Sequence, residues 1–143
     1  VYYNKSKISL KQLEAYGETF LITEEPIEWQ TTAHTKKIKN YTCYMAIATK
    51  TVKGREGEIN YPITAWFCPE ISMQFGPLGF SGLPGLILEL EVYNERYQFV
   101  LVELNPKKEV KVEKPKKGKE VTQDEFEEIG LSTMNEFRKS IGK

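Results

Sequence analysis

Histidine, cysteine and aspartate are almost missing from this chain, and their scarcity removes most familiar site chemistries. His34 is the only histidine, Cys43 and Cys68 are the only cysteines, and Asp124 is the only aspartate. A structural zinc site needs several ligands at close spacing, and neither cysteine has a second ligand beside it. His34 stands among Thr31, Thr32, Thr35 and Lys36 with no carboxylate next to it, so it reads as a surface residue rather than a general base. No metal and no cofactor is expected. An excess of one charge is also missing. Twenty basic residues balance 20 acidic ones, which argues against nucleic acid, whose phosphates demand a basic surface. It also gives no general pull toward anionic membranes. No apolar run approaches the roughly 20 residues of a membrane-spanning helix. The chain opens on Val1-Tyr2-Tyr3, without a methionine or a secretory leader, and reads as a mature or trimmed product.

What is present suits one mainly β domain. The 143 residues are 40% hydrophobic and 12% aromatic, enough for a proper core. Thr19 to Thr23 is β-branched and aromatic and stops at Glu24-Glu25-Pro26, which predicts a strand. Ile27 to Thr32, around Trp29, predicts another. Tyr41 to Val52 and Ile59 to Cys68 flank a charged loop with two glycines, Gly54 and Gly57, and predict a hairpin. Folding about that loop sets Tyr44 against Phe67, Ala46 against Ala65 and Val52 against Ile59, apolar against apolar. The same register sets Cys43 against Cys68, where a cross-strand pair comes within disulfide range. Pro62 removes one ladder donor and hints at an edge or bulge. A second hairpin turns near Asn94-Glu95. Leu86, Leu88, Leu90 and Val92 are expected on one face with Glu89 and Glu91 on the other, and Tyr97, Phe99 and Leu101 return opposite the leucines. Val110 and Val112 alternate with lysines over 106–119, as in a guarded edge strand. Thr122 and Glu125 match a capping box, and Phe126, Ile129, Met134, Phe137 and Ile141 recur at helical spacing up to Gly142. The predicted architecture is a curved antiparallel sheet, a meander or half-barrel of roughly seven strands, with that helix (about 122–141) packed on it.

Residues 69–85 follow neither period. Pro69, Gly76, Pro77, Gly79, Gly82, Pro84 and Gly85 interrupt Ile71, Met73, Phe75, Leu78, Phe80 and Leu83. Glycine and proline at this density exclude regular structure, while the apolar content predicts an ordered, packed loop. It is no phosphate cradle, because the Gly-Lys-Ser/Thr ending is absent. Ser81, in Gly79-Phe80-Ser81-Gly82, falls one residue short of a nucleophile elbow. Asn40-Tyr41-Thr42 is a glycosylation sequon, a weak signal alone. Two carboxylates, Glu70 and Glu89, border the loop, and acid–base chemistry would need them to converge in one cleft. Glu91 reads as a solvated strand charge.

Gly82-Leu83-Pro84-Gly85-Leu86-Ile87 reads GLPGLI, the string for which the GLPGLI family of Bacteroidota envelope proteins is named. The flanks resemble the family in order. Trp29 precedes Lys37-Ile38-Lys39-Asn40-Tyr41-Thr42-Cys43; Ala65-Trp66-Phe67-Cys68-Pro69-Glu70-Ile71 follows; Gly76-Pro77 then precedes Phe80 and Gly82. Asn40 stands where the family usually has glycine, a mild change since asparagine tolerates left-handed backbone. The resemblance implies an exported protein, periplasmic or outer-membrane associated, and this chain is then expected to be the C-terminal part of a longer precursor. An oxidising envelope favours the Cys43–Cys68 bond. The resemblance also implies a neighbourhood of outer-membrane TonB-dependent receptors, but no activity and no catalytic residues. The expected roles are a non-enzymatic accessory subunit on an outer-membrane partner, a carrier of an apolar ligand in the concavity of the sheet, or, least supported, a hydrolase. The motif itself has a structural rationale, a turn in which Gly82 and Gly85 supply backbone freedom, Pro84 stiffness, and Leu86-Ile87 the start of a buried strand.

Overall fold

Tight turns organise the strands. Tyr16 and Gly17 both take positive φ (52° and 80°), as do Tyr93 and Asn94 (55° and 61°), the twist that two-residue hairpins need. The computed structural model describes residues 2–5, 8–99, 107 and 111–142. Its strands are β1 (Tyr2–Lys5), β2 (Ile8–Ala15), β3 (Glu18–Glu24), β4 (Gln30–Ile38), β5 (Tyr41–Gly54), β6 (Gly57–Cys68), β7 (Leu86–Val92), β8 (Glu95–Gln98) and β9 (Lys119–Thr122), and they precede one helix, α1 (Gln123–Ile141). The mainly β class with a C-terminal helix is therefore observed. The strands form two open sheets rather than one, ordered β1-β2-β3-β9 and β4-β5-β6-β7-β8. The chain clusters as two compact units.

The first unit comprises Val1–Pro26, Lys50–Tyr61 and Pro115–Lys143. Its β2–β3 hairpin sets Leu13 against Phe20 and Lys11 against Ile22. β9 joins β3 in parallel, Ile22 against Val121. Gly118 makes this approach possible, with a φ of 135° and the Phe20 backbone 2.8 Å from where a Cβ would stand. The lysine-rich segment described before it, 111–117, is not a strand. The pairing falls instead on Lys119–Thr122, where Val121 can enter a core. Val110 lies outside the described residues, as do Val100, Leu101 and Val102. Phe20, Ile22 and Val121 form that core, with Leu13, Ala15, Phe126 and Ile129 packed against it. The Phe20 and Phe126 rings meet edge to face at 5.2 Å, a pairing worth about 1 kcal/mol beyond its area.

The capping box forms as expected. Thr122 Oγ1 accepts from Glu125 N–H, and the Glu125 carboxylate accepts from Thr122 N–H. The tip of the β5–β6 hairpin belongs to this unit as well. Lys53 N–H donates to Glu127 at 2.7 Å and Lys53 Nζ to Glu128 at 2.8 Å. The apolar stripe of α1 is only half used. Phe126 and Ile129 pack on the sheet, whereas Met134, Phe137 and Ile141 are exposed. β3 and β9 offer an apolar surface to the first turns only.

The second unit comprises Ile27–Thr49 and Pro62–Lys114. β5 and β6 run on from this unit into the first, where their turn is tighter than expected, the strands running to Gly54 and from Gly57. Two contacts agree with the expected register: the Tyr44 and Phe67 rings lie 6.1 Å apart, and Thr51 Oγ1 donates to Asn60 at 2.6 Å. Pro62 lies outside the β6–β7 pairing, which spans Thr64 to Cys68. The second hairpin turns at Tyr93-Asn94, with Leu90 opposite Tyr97. At the first β-turn of this unit the left-handed residue is Lys39 (φ 54°), so Asn40 is not asked to adopt that geometry.

One expectation about β7 is overturned. Its register against β6 shifts between Trp66, opposite Glu89, and Phe67, opposite Ile87, leaving Leu88 as the extra residue. Such a bulge reverses the alternation of side chains. Leu86 and Leu88 therefore join Ile38, Cys43, Cys68 and Ile71. Ile87, Leu90 and Val92 join Ile63, Ala65, Phe67, Phe80 and Leu83 in a separate core. The four residues Leu86, Leu88, Leu90 and Val92 do not share one face.

Candidate functional site

Two features of the second unit combine order with chemistry: the 69–85 loop and a buried carboxylate at Glu89. The loop is ordered, as its apolar content predicts. Ile71 N–H donates to Cys68 O at 3.2 Å, Leu86 N–H to Ile71 O at 3.0 Å, and Ile87 N–H to Phe75 O at 2.8 Å. Phe75 and Ser81 form an isolated bridge around a single 3-10 turn, Pro77–Gly79. Trp29 clasps the loop from β4's approach. Its Nε1–H donates to Ser81 O at 2.8 Å, and its ring meets Phe80 edge to face at 6.4 Å.

The GLPGLI residues make the loop's exit. Leu83 is buried in the core and Gly85 N–H donates to Leu83 O at 2.8 Å. Gly82 takes φ 97° beneath the Trp29 ring. Gly85 is a close-approach site: a Cβ there would collide with the Cys68 carbonyl and lie 2.8 Å from Pro69 N. Gly76 is extended, and its Cβ would stand 2.6 Å from that of Ile87. Pro84 is exposed, and Leu86 and Ile87 enter opposite cores. The motif thus behaves as the expected strand-launching turn.

The middle of the loop is different. Met73, Phe75 and Leu78 are 42%, 45% and 40% exposed. Leu78 also holds φ 56°, an uncommon backbone region for a bulky residue, and one that often marks function. Ile71, Phe80 and Leu83 anchor the same segment in buried positions. A rigid base therefore carries three apolar side chains in solvent.

Glu89 is 5% exposed and is the buried charged residue among those described. Lys36 Nζ donates to it at 2.7 Å and Gln98 Nε2 at 2.9 Å, while Arg96 Nε stands at 3.8 Å. The Lys36 ammonium also lies 4.4 Å from the centre of the Trp66 ring. A carboxylate so fully engaged ties β4, β7 and β8 together and has no free oxygen to act as a base. Gln98 was within reach of sequence reasoning, being opposite Glu89 in the second hairpin. Lys36 was not, because its contact spans the width of the sheet. Glu70 is exposed in the turn after β6. Glu91 is exposed with Arg96 at 3.8 Å, and His34 is exposed beside Thr32. Tyr41 packs on the core of Ile38 and Cys43 as a partly buried residue, and Trp66 does the same. Among the described residues no group of three His, Cys, Asp or Glu side chains gathers as a metal site, and no helix is long and apolar enough to cross a membrane.

Cys43 and Cys68 are both free thiols with 0% exposure. Burial, and then the neighbouring Cys68, push the Cys43 thiol up to about 11.

A family model described as "Protein of unknown function (Porph_ging)" matches residues 53–89. That stretch holds the second strand of the central hairpin, the whole loop and the first residues of β7 through Glu89. No curated protein and no solved structure matches the chain.

Proposed function

We propose that this is a non-enzymatic, exported envelope protein of the GLPGLI kind, whose 69–85 loop docks on an outer-membrane partner of the TonB-dependent receptor type. The observation that carries the docking reading is the loop's combination of a pinned base with three exposed apolar tips, Met73, Phe75 and Leu78. Preorganisation of this sort reduces the entropy lost on association, and apolar side chains amid polar surroundings mark contact surfaces. The GLPGLI string and its flanks support the envelope location. Exposed lysines at 111, 114, 116 and 117 fit a solvated face rather than a second contact.

The apolar-ligand reading finds less support. On one side of the sheet Phe80 and Leu83 fill the space over Ile63, Ala65 and Phe67, and on the other Ile38 and Ile71 cover the cysteines. The hydrolase reading lacks its pair of working carboxylates, since Glu89 is held by Lys36 and Gln98.

The test is a triple variant, Met73→Ser, Phe75→Ser and Leu78→Asn, in which asparagine tolerates the left-handed backbone. Expressed in the native envelope, it is expected to lose a stoichiometric outer-membrane partner that the parent protein retains in mild detergent, with its unfolding midpoint unchanged. Retention of the partner by the triple variant would refute the docking site. Recovery of the parent protein alone would refute the accessory role, and a bound lipid in that sample would establish the carrier reading in its place.

A further inference from the structure

We propose that Cys43 and Cys68 form a structural disulfide that clamps the base of the 69–85 loop. The inference rests on strand geometry and is independent of any docking partner. Lys36 on β4 pairs with Cys43 on β5, and Cys68 on β6 pairs with Leu86 on β7. The Tyr44–Phe67 ring contact and the Thr51–Asn60 hydrogen bond both fit the register that sets the two cysteines opposite each other. Both side chains lie in one buried cluster with Ile38, Ile71, Leu86 and Leu88. Opposed antiparallel residues meet the Cα spacing that a disulfide requires. The bond would sit where the loop begins and ends. Cys68 O accepts from Ile71 N–H, and its carbonyl is the group against which Gly85 is packed.

The chemistry is thiol–disulfide exchange with an oxidant of the disulfide class, such as oxidised glutathione. One cysteine thiolate attacks the oxidant and releases one reduced thiol. The second cysteine then displaces the other, so that two protein thiols and one oxidant disulfide become one protein disulfide and two reduced thiols. The attacking species is the thiolate, and the fold buries both cysteines completely and disfavours that form at Cys43. Exchange therefore belongs to folding, before β5 and β6 close over the sulfurs. The finished bond would be shielded from reductant by the same burial.

The experiment uses the full chain, unfolded and reduced, then refolded in a glutathione redox buffer and treated with a maleimide in denaturant. The expected product takes up no maleimide and weighs two hydrogen atoms less than the reduced chain. Folded, reduced protein placed in the same buffer should oxidise at least about tenfold more slowly, because both cysteines are fully buried. Limited proteolysis reads the clamp itself: cleavage within 69–85 should be about tenfold slower in the oxidised form. Two maleimides after refolding, or a glutathione adduct on a single cysteine, would overturn the bond. Equal proteolysis of both forms would overturn the clamp. A Cys43→Ser variant taken through the same refolding should retain one reactive thiol at Cys68, and its cleavage rate should match that of the reduced parent.

Discussion

Gly85→Ala tests the account of the loop's exit most sharply. A Cβ at Gly85 meets backbone, the Cys68 carbonyl and Pro69 N at 2.8 Å, so no side chain can rotate away to relieve it. The strand end must move, and with it the Leu86 N–H bond to Ile71 O. Overpacking costs about 1–3 kcal/mol and the weakened hydrogen bond about 1 kcal/mol more, giving about 2–4 kcal/mol. Gly82→Ala is the control. There the nearest atoms are Trp29 ring atoms at 3.7 Å, ordinary contact, and only the φ of 97° is penalised, about 1–2 kcal/mol. Both tryptophans, Trp29 and Trp66, lie in the second unit, so urea unfolding followed by tryptophan fluorescence reads the surroundings of the loop directly. With a slope of about 1.5 kcal/mol per molar urea, the Gly85→Ala midpoint should fall by roughly 1.5–2.5 M and that of Gly82→Ala by roughly 1 M. A Gly85→Ala midpoint within about 0.3 M of the parent, or a larger loss at Gly82, would refute the close-approach argument.

Glu89→Ala should cost about 1–3 kcal/mol in the same assay, less than a fully buried pair would, because Lys36 retains 35% side-chain exposure and can turn toward water. Combining it with Lys36→Met should recover part of that loss, the mark of a coupled pair. Reduced protein should be at full stability below pH 9, the ordinary thiol value, and lose stability as pH rises toward about 11, where Cys43 titrates in the fold. The slope attributable to this thiol is about 1.4 kcal/mol per pH unit, and Cys43→Val should abolish it in urea titrations at pH 8 and pH 10. Thr122→Ala should destabilise the first unit by about 1 kcal/mol, read as earlier loss of helical circular dichroism.

Local signals were the legible ones. The capping box at Thr122 and Glu125, the β3 strand, the register of Tyr44 against Phe67 and the turn roles of Gly82 and Gly85 each depend on residues close in sequence or on one hairpin. The failures share a different cause. The bulge at Leu88 sends Leu86 and Leu90 to opposite faces although the run Leu86–Val92 alternates evenly, and a single extra residue leaves no trace in the period. The parallel pairing of β9 with β3 joins segments about a hundred residues apart, beyond the reach of any turn signal. Helical spacing identified the α1 stripe, but only tertiary packing decides that Phe126 and Ile129 are covered while Phe137 is 63% exposed. Lys36 reaches Glu89 across the sheet, a contact that requires the strand order to be known first. The site's apolar tips were visible as residue types, and their exposure was not, since Met73, Phe75 and Leu78 differ from buried Ile71, Phe80 and Leu83 only in where the fold puts them.

The most direct test of the docking surface places a photo-crosslinking amino acid at Phe75, with Tyr16 in the first unit as an exposed control site. Illumination of cells carrying the protein in the envelope should yield one discrete adduct with an outer-membrane protein from position 75 and none from position 16. Equal labelling from both positions, or adducts from neither in protein shown to be folded and in the envelope, would contradict the account.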